Sequence, residues 1–247
     1  MGNKITITNG EGKKYLELIS EDMFAFFRKL EITGDDKPLV IVGGMPVPRF
    51  CAAEINQNFF HQVHLTLLEY GIWDQLIFQI SHELTHYMIY CHCKDESGYA
   101  SWLEETICEA MSLYFLALYR DNWEKLSLYK YNAVYDKIVG KYLEDELREH
   151  GTERLSRCSS YQELLEIDRT SQDCREDRRT ERNKLFSLIY ERDIKGMIYY
   201  RDYIIPNSKI LDCDRYLQDF PFSAPIKYLC DLQTNILTKA EHGQEGA

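Results

Sequence analysis

Several features are missing from this 247-residue chain, and each absence closes off a class of function. No apolar run approaches the roughly 18 residues that a membrane-spanning helix needs. The N-terminus carries no charged-then-apolar segment with a cleavage site, so a secretory signal is not expected. Cationic side chains are in deficit: 29 Lys and Arg stand against 40 Asp and Glu, a formal charge of −11. That balance repels phosphate backbones and argues against nucleic acid as a partner. The eight cysteines (Cys51, Cys91, Cys93, Cys108, Cys158, Cys174, Cys213 and Cys230) never form a C-x-x-C pair, which removes the ordinary structural zinc and redox motifs. They lie scattered in apolar or helical stretches and read as reduced, mostly buried thiols. Internal repeats and low-complexity segments are lacking too. The expectation is a cytoplasmic protein with no membrane span. Hydrophobic residues at 45% and aromatics at 13% are globular composition, enough for one large or two modest domains.

The pattern predicts the following elements in chain order. Residues 4–8 and about 14–19 read as two strands around the turn Asn9-Gly10-Glu11-Gly12, a hairpin signal. The same N-terminus fits a loose acylation pattern, M-G-x-x-x-[ST], but the alternation of Ile5 and Ile7 with Thr6 and Thr8 favours a strand. A short helix is expected from an N-cap at Ser20 to Leu30, with Met23, Phe24, Phe27 and Leu30 as its apolar stripe. Leu39–Val42 is a buried strand, and Pro46 and Pro48 impose a loop or an irregular edge leaving the sheet after it. A further strand is expected within 59–68. From Ile72 to Tyr90, Leu76, Ile77, Ile80, Leu84 and Met88 recur at helical spacing. A polar connection over 93–100 leads to a second helix at Ser101, where Ser101 and Glu104 match a capping box. Beyond residue 121 the sequence turns helical, Tyr-rich and charged, with one long helix expected over 122–149. The mixed-charge run 169–182 reads as a solvated helix face or a connection, with a phosphate or carboxylate site as the sharper alternative.

Within the 72–90 helix lies His82-Glu83-Leu84-Thr85-His86. Residues four apart share a helix face, so both imidazoles can reach one ion while Glu83 stands beside them. Two histidines plus one further ligand, with a position left open for water, is the donor set of a catalytic zinc site, and a neighbouring carboxylate is its general base. Two residue sets compete for the third ligand. His92 lies six residues beyond His86, the spacing of H-E-x-x-H-x-x-G-x-x-H, but that turn needs glycine where this chain has Ile89, a poor residue for a left-handed conformation. Alternatively Glu105 and Glu109 share a face of the second helix, so one can bind metal while the other hydrogen-bonds a ligand imidazole. Cys91 and Cys93 flank His92, but no second pair lies nearby.

Trp102-Leu103-Glu104-Glu105, with eighteen residues between His86 and Glu105, resembles the gluzincins, the thermolysin-like and aminopeptidase-like zinc peptidases. The nearest likeness is to the W-L-N-E motif of M1-type aminopeptidases, and it spans about residues 39–120. The resemblance implies that His82, His86 and Glu105 are zinc ligands, that Glu83 is general base and proton shuttle, and that Glu109 is an acidic partner behind a ligand. Gly43-Gly44-Met45-Pro46-Val47 falls where M1 enzymes carry G-x-M-E-N. Pro46 replaces the glutamate that holds a substrate's free amine, so the likeness does not extend to aminopeptidase specificity. Such enzymes add an oxyanion-stabilising Tyr or His, for which Tyr161, Tyr199, Tyr200 and Tyr203 are candidates among eighteen tyrosines; His61, His64 and His92 read as ordinary polar residues.

The resulting expectation is an α+β fold. A zincin-like metal-binding subdomain would span 1–120, with a small mixed sheet, an active-site helix and a glutamate helix. A mainly helical second lobe would follow over 121–240, then a disordered tail at 241–247. The expected function is zinc-dependent hydrolysis of peptide or protein substrates. The alternative is a catalytically silent binding or regulatory protein that engages a partner through its Tyr-rich lobe. Oligomeric state is not encoded in these patterns.

Overall fold

A computed structural model describes residues 5–7, 13–54, 59–66, 71–93 and 98–243. Among them the fold is α+β, with ten α-helices and one four-stranded mixed sheet. None of these helices is long and apolar enough to cross a membrane. The chain divides into two compact units, one of residues 1–92 with 111–146, the other of 93–110 with 147–247. The division is thus interleaved in sequence, where a single cut near residue 120 was expected.

The first unit carries the sheet. Strands β1 (Ile5–Ile7), β2 (Leu39–Val42), β3 (Arg49–Cys51) and β4 (His61–His64) lie in the order β1-β2-β4-β3. The first three neighbours run parallel, with Leu39 opposite His61 and Ile41 opposite Val63, and β3 closes one edge antiparallel to β4. Parallel pairing of β1 with β2 requires a crossover, and helix α1 (Lys13–Lys29) provides it. The expected hairpin is therefore corrected: residues 14–19 are helical, and 8–12 lie outside the described residues. The reason is period. Leu16, Ile19, Met23 and Phe27 recur three and four apart and all four are fully buried, a helical stripe that outlasts the brief alternation at its start. Ser20 is correspondingly no N-cap. It lies inside α1, buried, and its hydroxyl donates to the Leu16 carbonyl at 2.8 Å. Strand β3 begins directly after Pro48 and forms an edge of the sheet, where a loop or an irregular edge was expected.

Helix α1 ends in a left-handed cap. Ile32 N–H donates to Phe27 O and Glu31 N–H to Arg28 O, both at 3.0 Å, with Glu31 at φ 59°. This is the hydrogen-bond pair of a Schellman cap, in a conformation that glycine adopts without a Cβ penalty. Glu31→Gly is expected to stabilise the protein by about 0.5–1 kcal/mol, because the left-handed strain relieved exceeds the added freedom of the unfolded chain. Urea unfolding checks this: the midpoint rises at an unchanged slope, and a fall contradicts the account.

Helix α2 (Trp73–His92) follows β4. Tyr135 pins its start: the Tyr135 hydroxyl donates to Asp74 Oδ1 at 2.7 Å and accepts Trp73 N–H at 3.0 Å. Further along, Gln79 pairs with Thr66, accepting its N–H at 3.2 Å and donating to its hydroxyl at 2.8 Å. Helix α3 (Ser101–Asn122) contributes its second half to this unit, where Phe115 packs on Phe26 and Phe27 with ring centroids 5.2 and 5.5 Å apart. The single helix expected over 122–149 is corrected to a 3₁₀ turn at Trp123–Lys125, a run of turns and helix α4 (Asp136–Arg148). Side-chain anchors pull the chain out of the helix there. The buried Trp123 donates its indole N–H to Asn132 O at 2.8 Å, and Asp22 accepts from Ser127 N–H and hydroxyl at 3.1 and 2.8 Å.

The second unit is helical: α5 (Arg154–Arg157), α6 (Tyr161–Thr170), α7 (Arg179–Phe186), α8 (Ile194–Ile198), α9 (Cys213–Asp219) and α10 (Ala224–Gly243), besides the first half of α3. Leu164, Ile167, Leu185, Met197, Leu229 and Ile236 are buried in it. Ser160 caps α6 by accepting Glu163 N–H at 3.2 Å. Residues 241–243 close α10 instead of opening a disordered tail, and 244–247 lie outside the described residues.

Candidate metal centre

The histidine pair is a product of one uninterrupted helix. Leu76, Ile77, Ile80, Leu84 and Met88 bury one side of α2 completely, which leaves His82 and His86 half-buried on another. Their Nε2 atoms face each other at 3.2 Å. Two nitrogens bound tetrahedrally to one zinc at 2.0–2.1 Å stand about 3.3 Å apart, so the pair is already spaced for that ion. Glu83, between them in sequence, is 2% exposed. Helix α2 continues through Ile89 to His92, in line with the absence of glycine at that position, and His92 Nδ1 donates back to Met88 O at 2.9 Å. Burial pushes the neighbouring Cys91 thiol up to about 12, far from the thiolate that a metal takes as ligand.

Helix α3 holds the carboxylates. Its first turn is capped from a distance: Asp168 on α6 accepts Trp102 N–H at 3.1 Å, and Lys209 meets the other Asp168 oxygen at 3.2 Å. Glu104, expected in a capping box, instead directs its carboxylate to Tyr200 and, bidentately at 2.7 and 2.8 Å, to Arg201. Glu105 is 7% exposed. The ligand atoms of His82, His86 and Glu105 all lie within 4.8 Å of one another, and they form the one group of three or more metal-binding side chains among the described residues. Two imidazoles and a carboxylate are a donor set that suits zinc with an open position.

Glu109, expected behind a ligand imidazole, lies fully buried in an arginine cage. Arg178 Nη2 donates to its Oε1 at 3.0 Å, Arg182 Nη1 to its Oε2 at 3.2 Å and Arg175 Nε to Oε1 at 3.3 Å. Arg178 Nη2 also stands 3.9 Å from Glu105 Oε2. Both Arg178 and Arg182 are 0% exposed, so the solvated face expected over 169–182 is corrected for these two residues. Fully buried guanidiniums keep their charge and require counter-charge, and Glu109 supplies it to both. These arginines were missed as site residues. Their signal was the spacing of Arg175, Arg178 and Arg182, three and four apart, which places them on one face.

Two of the tyrosines considered for oxyanion stabilisation have structural partners. Tyr200 is fully buried on Glu104. Tyr203 donates to Asp219 Oδ2 at 2.8 Å and stacks on Tyr216 at 4.3 Å between ring centroids. His61 is likewise satisfied: its Nδ1 accepts Ala53 N–H at 3.1 Å, leaving Nε2 to donate to Asp35 at 2.8 Å. His64 Nδ1 accepts from Arg49 Nε at 3.3 Å, and burial and that guanidinium lower its pKa.

In comparisons with family models, curated proteins and solved structures, nothing matches the chain.

Proposed function

We propose that the chain is a zinc-dependent peptidase of the gluzincin type, in which His82, His86 and Glu105 hold the ion and Glu83 is the general base. The observation that carries this reading is the approach of three ligand atoms to within 4.8 Å of one another, with a buried carboxylate next in sequence to one of the histidines. A zinc ion held there would supply a Lewis acid and lower the pKa of a water to about 7. Glu83 then takes the proton from the attacking water and passes it to the leaving amine nitrogen, a transfer that needs one group able to accept and donate in turn. Burial suits Glu83 to this, because a dry carboxylate exchanges its proton with substrate in preference to solvent. Glu109 supports the set indirectly, by holding Arg178 beside Glu105. A purely structural metal site needs no general base, whereas a hydrolase depends on one.

The test is metal content together with hydrolysis. Purified protein dialysed against zinc should retain about one ion per chain and cleave a mixed peptide library in a chelator-sensitive manner. His86→Ala should lose both. Zinc binding unaffected by that substitution, or cleavage that survives chelation, would sink the proposal.

A further inference from the structure

The two thiols Cys213 and Cys230 fall outside the candidate site and form a cluster of their own in the second unit. Cys213 opens α9 and is half-buried, while Cys230 lies in α10 and is 2% exposed. Cys213 Sγ lies 4.0 Å from the carbonyl oxygen of Cys230, which brings the two cysteines together between α9 and α10. Gln233, one turn further along α10, fixes this contact. Its side-chain NH₂ donates to Leu211 O at 2.9 Å and to Cys213 Sγ at 3.4 Å, and its Oε1 accepts Leu211 N–H at 2.6 Å. A side chain on α10 thereby clamps the segment entering α9 and holds Cys213 beside the turn of α10 that carries Cys230.

We propose that Cys213 and Cys230 are a peroxide-sensitive dithiol that closes to an intramolecular disulfide between α9 and α10. The two sulfurs have different roles. The Cys230 thiol, by hydrogen bonding to it, holds Cys213 below the ordinary thiol range, while that same bond and burial push Cys230 up. Cys213, the more accessible and more readily ionised, is the attacking sulfur and Cys230 resolves. The Cys213 thiolate attacks one oxygen of a hydroperoxide; the O–O bond breaks, Cys213 becomes a sulfenic acid, and the departing oxygen takes up the proton that Cys213 had lost. Cys230 sulfur then attacks Cys213 sulfur, the S–O bond breaks, and the hydroxide leaves as water with the Cys230 proton. Two thiols lose two electrons and the peroxide gains them. Asp212, Asp214 and Asp231 surround the pair with negative charge, which favours a small neutral oxidant over an anionic disulfide such as oxidised glutathione.

Peptide mapping after graded hydrogen peroxide treatment tests this in the full chain. The expected result is a Cys213–Cys230 cross-linked peptide pair, about 2 Da lighter than the sum of the two thiol peptides. Both thiols should disappear together, return with dithiothreitol, and raise the thermal midpoint by several degrees while joined. In the conservative variant Cys213→Ser, Cys230 should remain alkylatable after unfolding at the same peroxide dose. Sulfinic acid at Cys213 beside a free Cys230, or a disulfide between other cysteines, overturns the proposal. Oxidised glutathione at equal concentration should modify Cys213 several-fold more slowly, and equal rates overturn the assignment of the oxidant.

Discussion

Glu83→Gln is expected to lower peptide hydrolysis by about 10²–10⁴-fold while leaving zinc content unchanged. The amide has nearly the size and shape of the carboxylate, so the buried niche of Glu83 on α2 survives. What is lost is the capacity to accept a proton and return it. Because Glu83 is not among the three convergent ligand side chains, metal binding has no reason to change. The loss should appear in kcat more than in KM, since proton transfer is made only in the transition state. Steady-state kinetics and metal analysis on one preparation read both quantities. Turnover within a few-fold of the native protein would remove Glu83 from the mechanism, and loss of zinc would mean that it acts as a ligand.

Glu109→Ala is expected to destabilise the protein by about 3–5 kcal/mol, a large share of an ordinary domain's stability. Arg178 and Arg182 are fully buried and both donate to this carboxylate. Without it, two guanidiniums remain out of water and both lose a carboxylate that they donate to, while Arg178 keeps Glu105 at 3.9 Å. The penalty is the cost of orphaned charge and exceeds what the ion pairs themselves contribute. Replacing Glu109, Arg178 and Arg182 together by apolar residues of similar volume should therefore recover most of the loss. Chemical denaturation of the single and triple variants distinguishes the two cases. A single substitution costing under about 1 kcal/mol would show that water reaches the cage and screens it.

How much of this was legible in the sequence varied with the range of the forces involved. The histidines were legible because i and i+4 on a helix share a face by backbone geometry alone, and the apolar recurrence of Leu76, Ile80, Leu84 and Met88 marked the helix that carries them. The start of α3 at Ser101 was found for a partly mistaken reason. Glu104 looked like half of a capping box, yet its carboxylate serves Tyr200 and Arg201, and the helix is capped by Asp168 from a distant part of the chain. Long-range pairing of this kind leaves no local trace. Arg178 and Arg182 were read as solvated because charge runs usually are, and only a buried acid elsewhere in the chain makes their burial affordable. Helix α1 was missed at its start for a different cause: the alternation of a few residues imitated a strand, and the longer helical period prevailed once Leu16, Ile19, Met23 and Phe27 had a common core to fill.

The central claim is that His82, His86 and Glu105 bind one zinc ion. X-ray absorption at the zinc edge of the loaded protein tests it most directly. The account predicts a first shell of nitrogen and oxygen only, at about 2.0–2.2 Å, with two imidazoles, and a loss of that signal in His86→Ala. A sulfur shell at about 2.3 Å, or a spectrum that His86→Ala leaves unchanged, would place the metal elsewhere and contradict the account.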